Sequence, residues 1–292
     1  MQNKTIKIEN VDLFYREAGD PKNPTIVLLH GYPASSHMFR DLIPLLAETH
    51  HVLAPDYPGF GFTKSPAPAE FPYTFAKLAE VVFQWLSKLG VDRYFLYMQD
   101  YGAPVGLRIA SQSPDRILGL IVQNGNAYEE GLTDAWAGIR AYWNEKSSEN
   151  GEALLELCSP DFVRLMYTDG VKDAEAIAPE SWALDTHFLS DPERREIQVA
   201  LFYDYQSNVA LYDAWQNYLR EHKPPILVVW GLNDMFFARP GAEAFGRDVP
   251  EAVFRFYQTG HFALEECAAE IGDEIRQFVQ KLDVGHKCLQ KA

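Results

Sequence analysis

The chain has 292 residues, of which 47% are apolar, and carries 41 acidic against 26 basic side chains for a formal net charge of −15. A chain of that length and apolar content can bury a large core and fold alone. The charge repels phosphate backbones and anionic lipid, which excludes nucleic acid and membrane surfaces as expected partners and leaves a small neutral organic molecule.

The opening "MQNKTIKIENVDLFYREAG" alternates apolar and polar residues and has no continuous apolar run behind basic residues, so no signal peptide is read there and a cytoplasmic protein is expected. Ile6, Ile8, Val11, Leu13 and Tyr15 predict a pair of strands. Buried-type strands follow at "TIVLLH" (25–30), "HVLAPD" (51–56), "YFLYM" (94–98) and "LGLIVQN" (118–124), and later at "PILVVWG" (225–231) and "VFRFYQTG" (253–260). Between them Phe75, Leu78, Val82, Phe83, Leu86 and Leu89, and then Ala268, Ile271, Ile275, Phe278 and Leu282, recur at the spacing of one helix face. Continuous apolar strands alternating with amphipathic helices predict an α/β fold, with a mostly parallel eight-stranded sheet flanked by helices.

About a hundred residues separate the strand ending near Asn124 from the one starting near Pro225, far more than one crossover needs. The segment 128–222 holds Trp136, Trp143, Trp182, Trp215 and many tyrosines in mostly helical patterning. It is predicted to be an inserted helical cap over the carboxyl edge of the sheet, where open α/β sheets bind ligands, with 1–127 and 223–292 forming the core domain. The tail "DVGHKCLQKA" is expected to be disordered. Apolar runs such as "TIVLL" and "PILVVW" are too short to span a bilayer. Cys158, Cys267 and Cys288 lie far apart without CxxC spacing, so neither a disulfide framework nor a zinc site is read from them, and buried or incidental thiols in a reducing compartment are expected. The histidines show no metal-ligand spacing, and no metal or organic cofactor is implied. A monomer or homodimer is expected.

Three residues stand in loops directly after strands: Asp100 in "YFLYMQDYGAPVG", Asp234 in "VVWGLND" and His261 in "YQTGHF". Singly they read as a helix N-cap, a turn residue and a surface histidine. Jointly, at three strand ends in the order acid, acid, base, they form a chemical set. A nucleophile needs a base within reach, and the base needs a third group to fix its tautomer and stabilise its charge.

With "LLHGYPASSHMFRDLIPLL", "APDYPGFGFTKSP", "QDYGAPVGLRIA", "QNGNAYEEGL", "LFYDYQSN", "WGLNDMFF" and "TGHFALEE", nearly the whole chain resembles the aspartate-nucleophile branch of the α/β-hydrolase superfamily. That branch comprises soluble epoxide hydrolases and haloalkane dehalogenases, and the chain is most similar to the epoxide-hydrolase-like members. No G-x-S-x-G occurs, which disfavours an ordinary serine esterase. The resemblance implies an α/β-hydrolase fold in which Asp100 attacks an sp³ carbon to form an ester, His261 activates the water that hydrolyses it, and Asp234 supports His261. "HGYP" (30–33) is similar to the family's oxyanion motif, which implies that the amides of Tyr32 and Tyr101 serve the second step. "PDYPGFG" (55–61) reads as a structural turn. One departure concerns Met98, at a position two before the nucleophile that is normally small, and a slightly opened elbow is expected from it.

An epoxide oxygen leaves as an alkoxide and needs an acid, which the family takes from two cap tyrosines. Here the cap offers Tyr142, Tyr167, Tyr203, Tyr205 and Tyr212; by distance from the other motifs Tyr142 and one of Tyr203 or Tyr205 are the candidates, with Tyr205 first. Trp143 and Trp182 are expected in the substrate pocket. Tyrosines stand at 32 and 101, where dehalogenases place their usual halide donors, which favours an epoxide hydrolase making vicinal diols. The alternative is a haloalkane or haloacid dehalogenase using the same aspartate, and beyond that a non-catalytic ligand-binding protein of the same fold. Glu129 and Glu130 follow the strand ending at Asn124 and are a second possible source of the triad acid.

Overall fold

The structure, a computed structural model, describes residues 1–289. Eight strands form one sheet: β1 (Gln2–Ile8), β2 (Val11–Ala18), β3 (Thr25–Leu29), β4 (His51–Pro55), β5 (Tyr94–Gln99), β6 (Ile117–Gln123), β7 (Ile226–Gly231) and β8 (Val253–Tyr257), in the order β1-β2-β4-β3-β5-β6-β7-β8. β2 runs antiparallel to β1 and β4, and the remaining pairs are parallel. β3, β4, β5 and β7 are buried along their whole length, which is why their sequences read as unbroken apolar runs. The chain steps from β3 outward to β4 and then returns to the other side of β3 as β5. The crevice at this reversal lies beyond the carboxyl ends of β3 and β5, where "HGYP" and Asp100 begin.

The helices are α1 (Leu42–Ala47), α2 (Phe75–Lys88), α3 (Gly102–Gln112), α4 (Ala137–Asn144), α5 (Ser148–Ala153), α6 (Pro160–Thr168), α7 (Glu180–Leu189), α8 (Pro192–Asp204), α9 (Gln206–Val209), α10 (Tyr212–His222), α11 (Arg239–Asp248) and α12 (Leu264–Leu289). α2 illustrates how local sequence sets them: Thr74 caps its start by accepting from Lys77 N at 3.2 Å, and Phe75, Leu78, Val82, Trp85 and Leu86 bury one face. Gly90, at φ +70°, lets the chain turn away after its end. α4 to α10 all lie in the connection between β6 and β7, and Trp136, Trp215 and Leu201 are buried among them. Among the described residues no helix is long and apolar enough to cross a membrane. α12 continues to Leu289, so the tail expected to lack structure is helical over 283–289, while residues 290–292 of it lie outside the described residues. Cys158 and Cys267 are buried free thiols.

Candidate active site

β5 ends at Gln99, Asp100 takes φ +49°, and α3 starts at Gly102, so the chain reverses over two residues with the Asp100 side chain at the apex. Such a left-handed conformation is unfavourable for a non-glycine residue and persists where the surroundings enforce it. Glycines make the space. A Cβ on Gly102 would lie 2.3 Å from the Leu29 carbonyl oxygen, and one on Gly31 would lie 2.2 Å from Asp100 Cβ. The opened elbow expected from Met98 is not observed. Met98 is fully buried and lies in the notch left by Gly106, where a Cβ would stand 2.3 Å from its sulfur, so the bulk is accommodated one helical turn on and the turn stays tight.

Asp100 Oδ1 accepts from the amide of Tyr32 at 2.8 Å and from the amide of Tyr101 at 2.5 Å. Its other oxygen, Oδ2, lies 3.9 Å from His261 Nε2. Burial pushes the Asp100 pKa up to about 6, and the nearby His261 and the two amides limit the rise. The carboxylate is therefore ionised at neutral pH but poorly solvated. His30, buried in the same turn, donates from Nδ1 to the Gly31 carbonyl at 3.0 Å and accepts from Tyr57 N at 3.2 Å; burial pushes its pKa down to about 3, so it is a neutral structural group. Asp56 anchors the "PDYPGFG" turn by accepting from Ser36 N at 2.7 Å and Phe62 N at 2.8 Å.

His261 Nδ1 donates to Asp234 Oδ2 at 2.9 Å. Burial opposes charge on the ring, but the Asp234 carboxylate, its hydrogen bond and the more distant Asp100 raise the His261 pKa above the ordinary histidine value. The structure thus brings Asp100, His261 and Asp234 together, and Tyr32 and Tyr101 present their amides to the first of them. Asp234 Oδ1 also accepts from Phe236 N at 2.8 Å, and its Oδ2 accepts from Asn124 Nδ2 at 2.9 Å. Glu129 and Glu130 are exposed, with Glu130 paired to Arg247 at 2.7 Å, so the acid on the histidine is Asp234.

Asn124, Gln99 and Gln123 join the site, although the motifs that contain them assign them no role. Asn124 sits at φ +42°; its side chain exchanges hydrogen bonds with Gly231 N (2.9 Å) and O (3.0 Å), and its carbonyl accepts from Asp100 N at 3.1 Å, so it ties both acids to the ends of β6 and β7. Gln123 donates to the His261 carbonyl at 3.3 Å and accepts from the Tyr97 hydroxyl. Gln99 donates to His261 Nε2 at 2.9 Å. Polar residues at the ends of otherwise apolar strands were the available signal.

Above Asp100 is a narrow cavity of about 30 Å³ bounded by Tyr32, Tyr101, Trp136, Leu157, Met166 and Phe236 among others. Tyr142, Tyr203 and Tyr205 do not bound it: the first two pack on each other at 5.2 Å, beside Gly151 and under Lys146, and Tyr205 lies behind the Trp136 and Tyr101 rings. Trp143 stands behind it, its indole donating to the Phe202 carbonyl at 2.7 Å, and Trp182 lies against Tyr167 and Arg164. Trp136 takes the position expected of these tryptophans, but its indole donates to the Phe236 carbonyl at 3.0 Å. Tyr205 is fully buried, 4.5 Å from the Trp136 ring and 6.0 Å from the Tyr101 ring. The hydroxyls of Tyr101 and Tyr205 are buried without a hydrogen bond, Tyr205 approaching the Tyr212 hydroxyl without hydrogen-bond geometry. Burial raises both phenols well above the ordinary tyrosine value, and the Asp100 charge adds to the rise in each.

The family model described as alpha/beta hydrolase fold matches residues 24–268. An uncharacterized hydrolase of Saccharomyces cerevisiae is 45% identical over 271 residues, covering 91% of this chain and 93% of its own length. Haloalkane dehalogenase 1 of Mycobacterium tuberculosis is 46% identical over 103 residues, which is 35% of this chain and 34% of that enzyme. The crystal structure of haloalkane dehalogenase DbeA from Bradyrhizobium elkani matches with a TM-score of 0.81 at 20% identity, covering 97% of this chain and 99% of that one, a likeness of fold.

Proposed function

This chain belongs to the α/β-hydrolase fold family and is a hydrolase, and within that family we propose that it opens small epoxides to vicinal diols through a covalent ester on Asp100. Asp100 Oδ2 bonds to an epoxide carbon as the C–O bond of the ring breaks, and the departing alkoxide takes a proton from a tyrosine hydroxyl. His261 then takes a proton from water, whose oxygen adds to the Asp100 carbonyl carbon. The resulting oxyanion develops on Oδ1, already held by the amides of Tyr32 and Tyr101, so those donors need not reorganise. Collapse breaks the bond to the alkyl oxygen, which receives the proton from His261 and leaves as the diol. Asp100 regains its carboxylate with one oxygen drawn from water, and the proton remaining on that oxygen passes to the tyrosinate left by the first step, which restores the acid.

The observation that carries the epoxide reading is the division of donors at the cavity wall, where Trp136 and Tyr101 stand, and in the layer behind it, where Trp143 and Tyr205 stand. The indole N–H groups of Trp136 and Trp143, the donors a halide would use, are spent on backbone carbonyls, whereas the Tyr101 hydroxyl makes no hydrogen bond and the Tyr205 hydroxyl meets only that of Tyr212. Tyr101 and Tyr205 are accordingly the acids of this reading, in place of Tyr142 and Tyr203. The apolar lining suits a small neutral substrate. The helical segment 128–222 acts in it as the cap that excludes water from the first step. Dehalogenation by the same aspartate is the second reading, favoured by the local identity to haloalkane dehalogenase 1.

His261→Gln tests both readings. Incubated separately with terminal epoxides and with bromoalkanes, this variant should accumulate an adduct on the Asp100 peptide, read by mass spectrometry, that carries the whole epoxide mass. An adduct from bromoalkanes alone would transfer the protein to the second reading, and no adduct from a folded sample would remove Asp100 as a nucleophile for either substrate.

A further inference from the structure

We infer that Gln99 is a positioning residue that holds His261 as a neutral base and keeps its ring from pairing with Asp100. The inference rests on the two-step reading of Asp100 and His261 given above. Gln99 closes β5, precedes Asp100 in the chain and is fully buried. Its side-chain nitrogen lies 2.9 Å from His261 Nε2. An amide nitrogen only donates, so the ring nitrogen facing it carries the lone pair. Nδ1 on the other side donates to Asp234. The two contacts together select the neutral Nδ1–H tautomer, whose single Nε2 lone pair accepts a proton from water in the second step once water displaces the amide from it.

The charged groups facing the ring are both anionic, Asp234 from the loop after β7 and Asp100 from the turn after β5, while the rings of Phe236, Phe237 and Phe262 occupy other sides. Both carboxylates favour the imidazolium. Without Gln99, the partner left for Nε2 is Asp100 Oδ2 at 3.9 Å, a gap that a small rotation closes. Such a pair would harm both steps, because an imidazolium is no base and a carboxylate oxygen bound to it is a weaker nucleophile. A neutral donor on Nε2 prevents it. The arrangement leaves Gln99 Oε1 buried without a hydrogen bond, which is uncommon for a buried acceptor and fits an amide whose orientation is set by its nitrogen.

The test is a ¹⁵N NMR titration of the His261 imidazole, with its signals identified by their loss in His261→Gln. In the wild-type protein at a pH above the His261 pKa, Nε2 should be the unprotonated nitrogen; a protonated Nε2 there would overturn the inference without any variant. In Gln99→Met, and in Gln99→Leu as a second shape, the His261 pKa should rise by about half to one unit, a three- to tenfold shift toward the imidazolium. An unchanged or lowered pKa in a folded variant would overturn it. Rapid-quench mass spectrometry of the Asp100 ester formed from 1,2-epoxybutane supplies the functional readout: in Gln99→Met both ester formation and ester hydrolysis should slow, and both should recover as pH is raised by the same amount. Rates that fall equally at all pH values indicate a packing role and count against the inference. If no ester forms even in His261→Gln, the reading of Asp100 fails, while the titration still decides the role of Gln99.

Discussion

Below the cavity, at the carboxyl edge of the sheet, Asp100 is held by main-chain amides and by glycines whose missing side chains leave it room. Above it, the helices between β6 and β7 contribute mainly packed rings and aliphatic side chains, with indole N–H groups turned onto backbone carbonyls. The lower wall is specified by backbone geometry and tolerates little change. The upper wall is specified by packing, so the same residue types can be arranged in several ways.

The largest expected effect tests the pair of hydroxyls contributed by the two walls, Tyr205 by the upper and Tyr101 by the lower. Tyr205→Phe should lower epoxide turnover by about 10²–10⁴-fold, the usual contribution of a positioned acid, and Tyr101→Phe should have an effect in the same range. Diol formation followed by chromatography measures both. A loss smaller than threefold in both variants would break the assignment of the acids to this pair.

Asn124→Ala tests whether the lower wall is as rigid as its geometry indicates. Losing the bonds to Asp234 and Gly231 from a residue at φ +42° should destabilise the protein by about 2–3 kcal/mol in chemical denaturation. Activity should fall by about a hundredfold through misplacement of Asp234 and His261.

Asp100→Asn sharpens the comparison through stability. The folded state holds the Asp100 pKa at about 6 against an ordinary value of 3.8, so it resists ionisation more than the unfolded chain does. Stability from this group is thus present when the carboxyl is protonated and is lost as pH rises from 3.8 to about 6. Asparagine cannot ionise, and the variant should be more stable than the wild type above pH 6 by about 1–3 kcal/mol, with the difference closing toward pH 4 in thermal melts. The smallest effect is expected at Tyr142→Phe and Tyr203→Phe, whose rings pack on each other away from the cavity. Less than a twofold change in diol formation is expected from either, and a larger one would return these tyrosines to the upper wall.

Periodicity alone predicted the eight strands, a helix with its apolar face running from Phe75 to Leu89 and the long interval that α4 to α10 occupy, because a strand buried on both faces must be apolar throughout and a surface helix must be apolar on one side. Chain order also brought Asp100, Asp234 and His261 to notice, since parallel strands deliver their following loops to one edge of the sheet. Tertiary structure alone decided the rest. Met98 fits because Gly106 faces it, a pairing across a helical turn that no local rule for position 98 contains. The choice among the cap tyrosines and tryptophans depended on where each ring packs and which carbonyl each N–H reaches. These contacts span up to about a hundred residues of sequence, as between Trp136 and Phe236, and side-chain orientation over such separations follows from packing instead of composition.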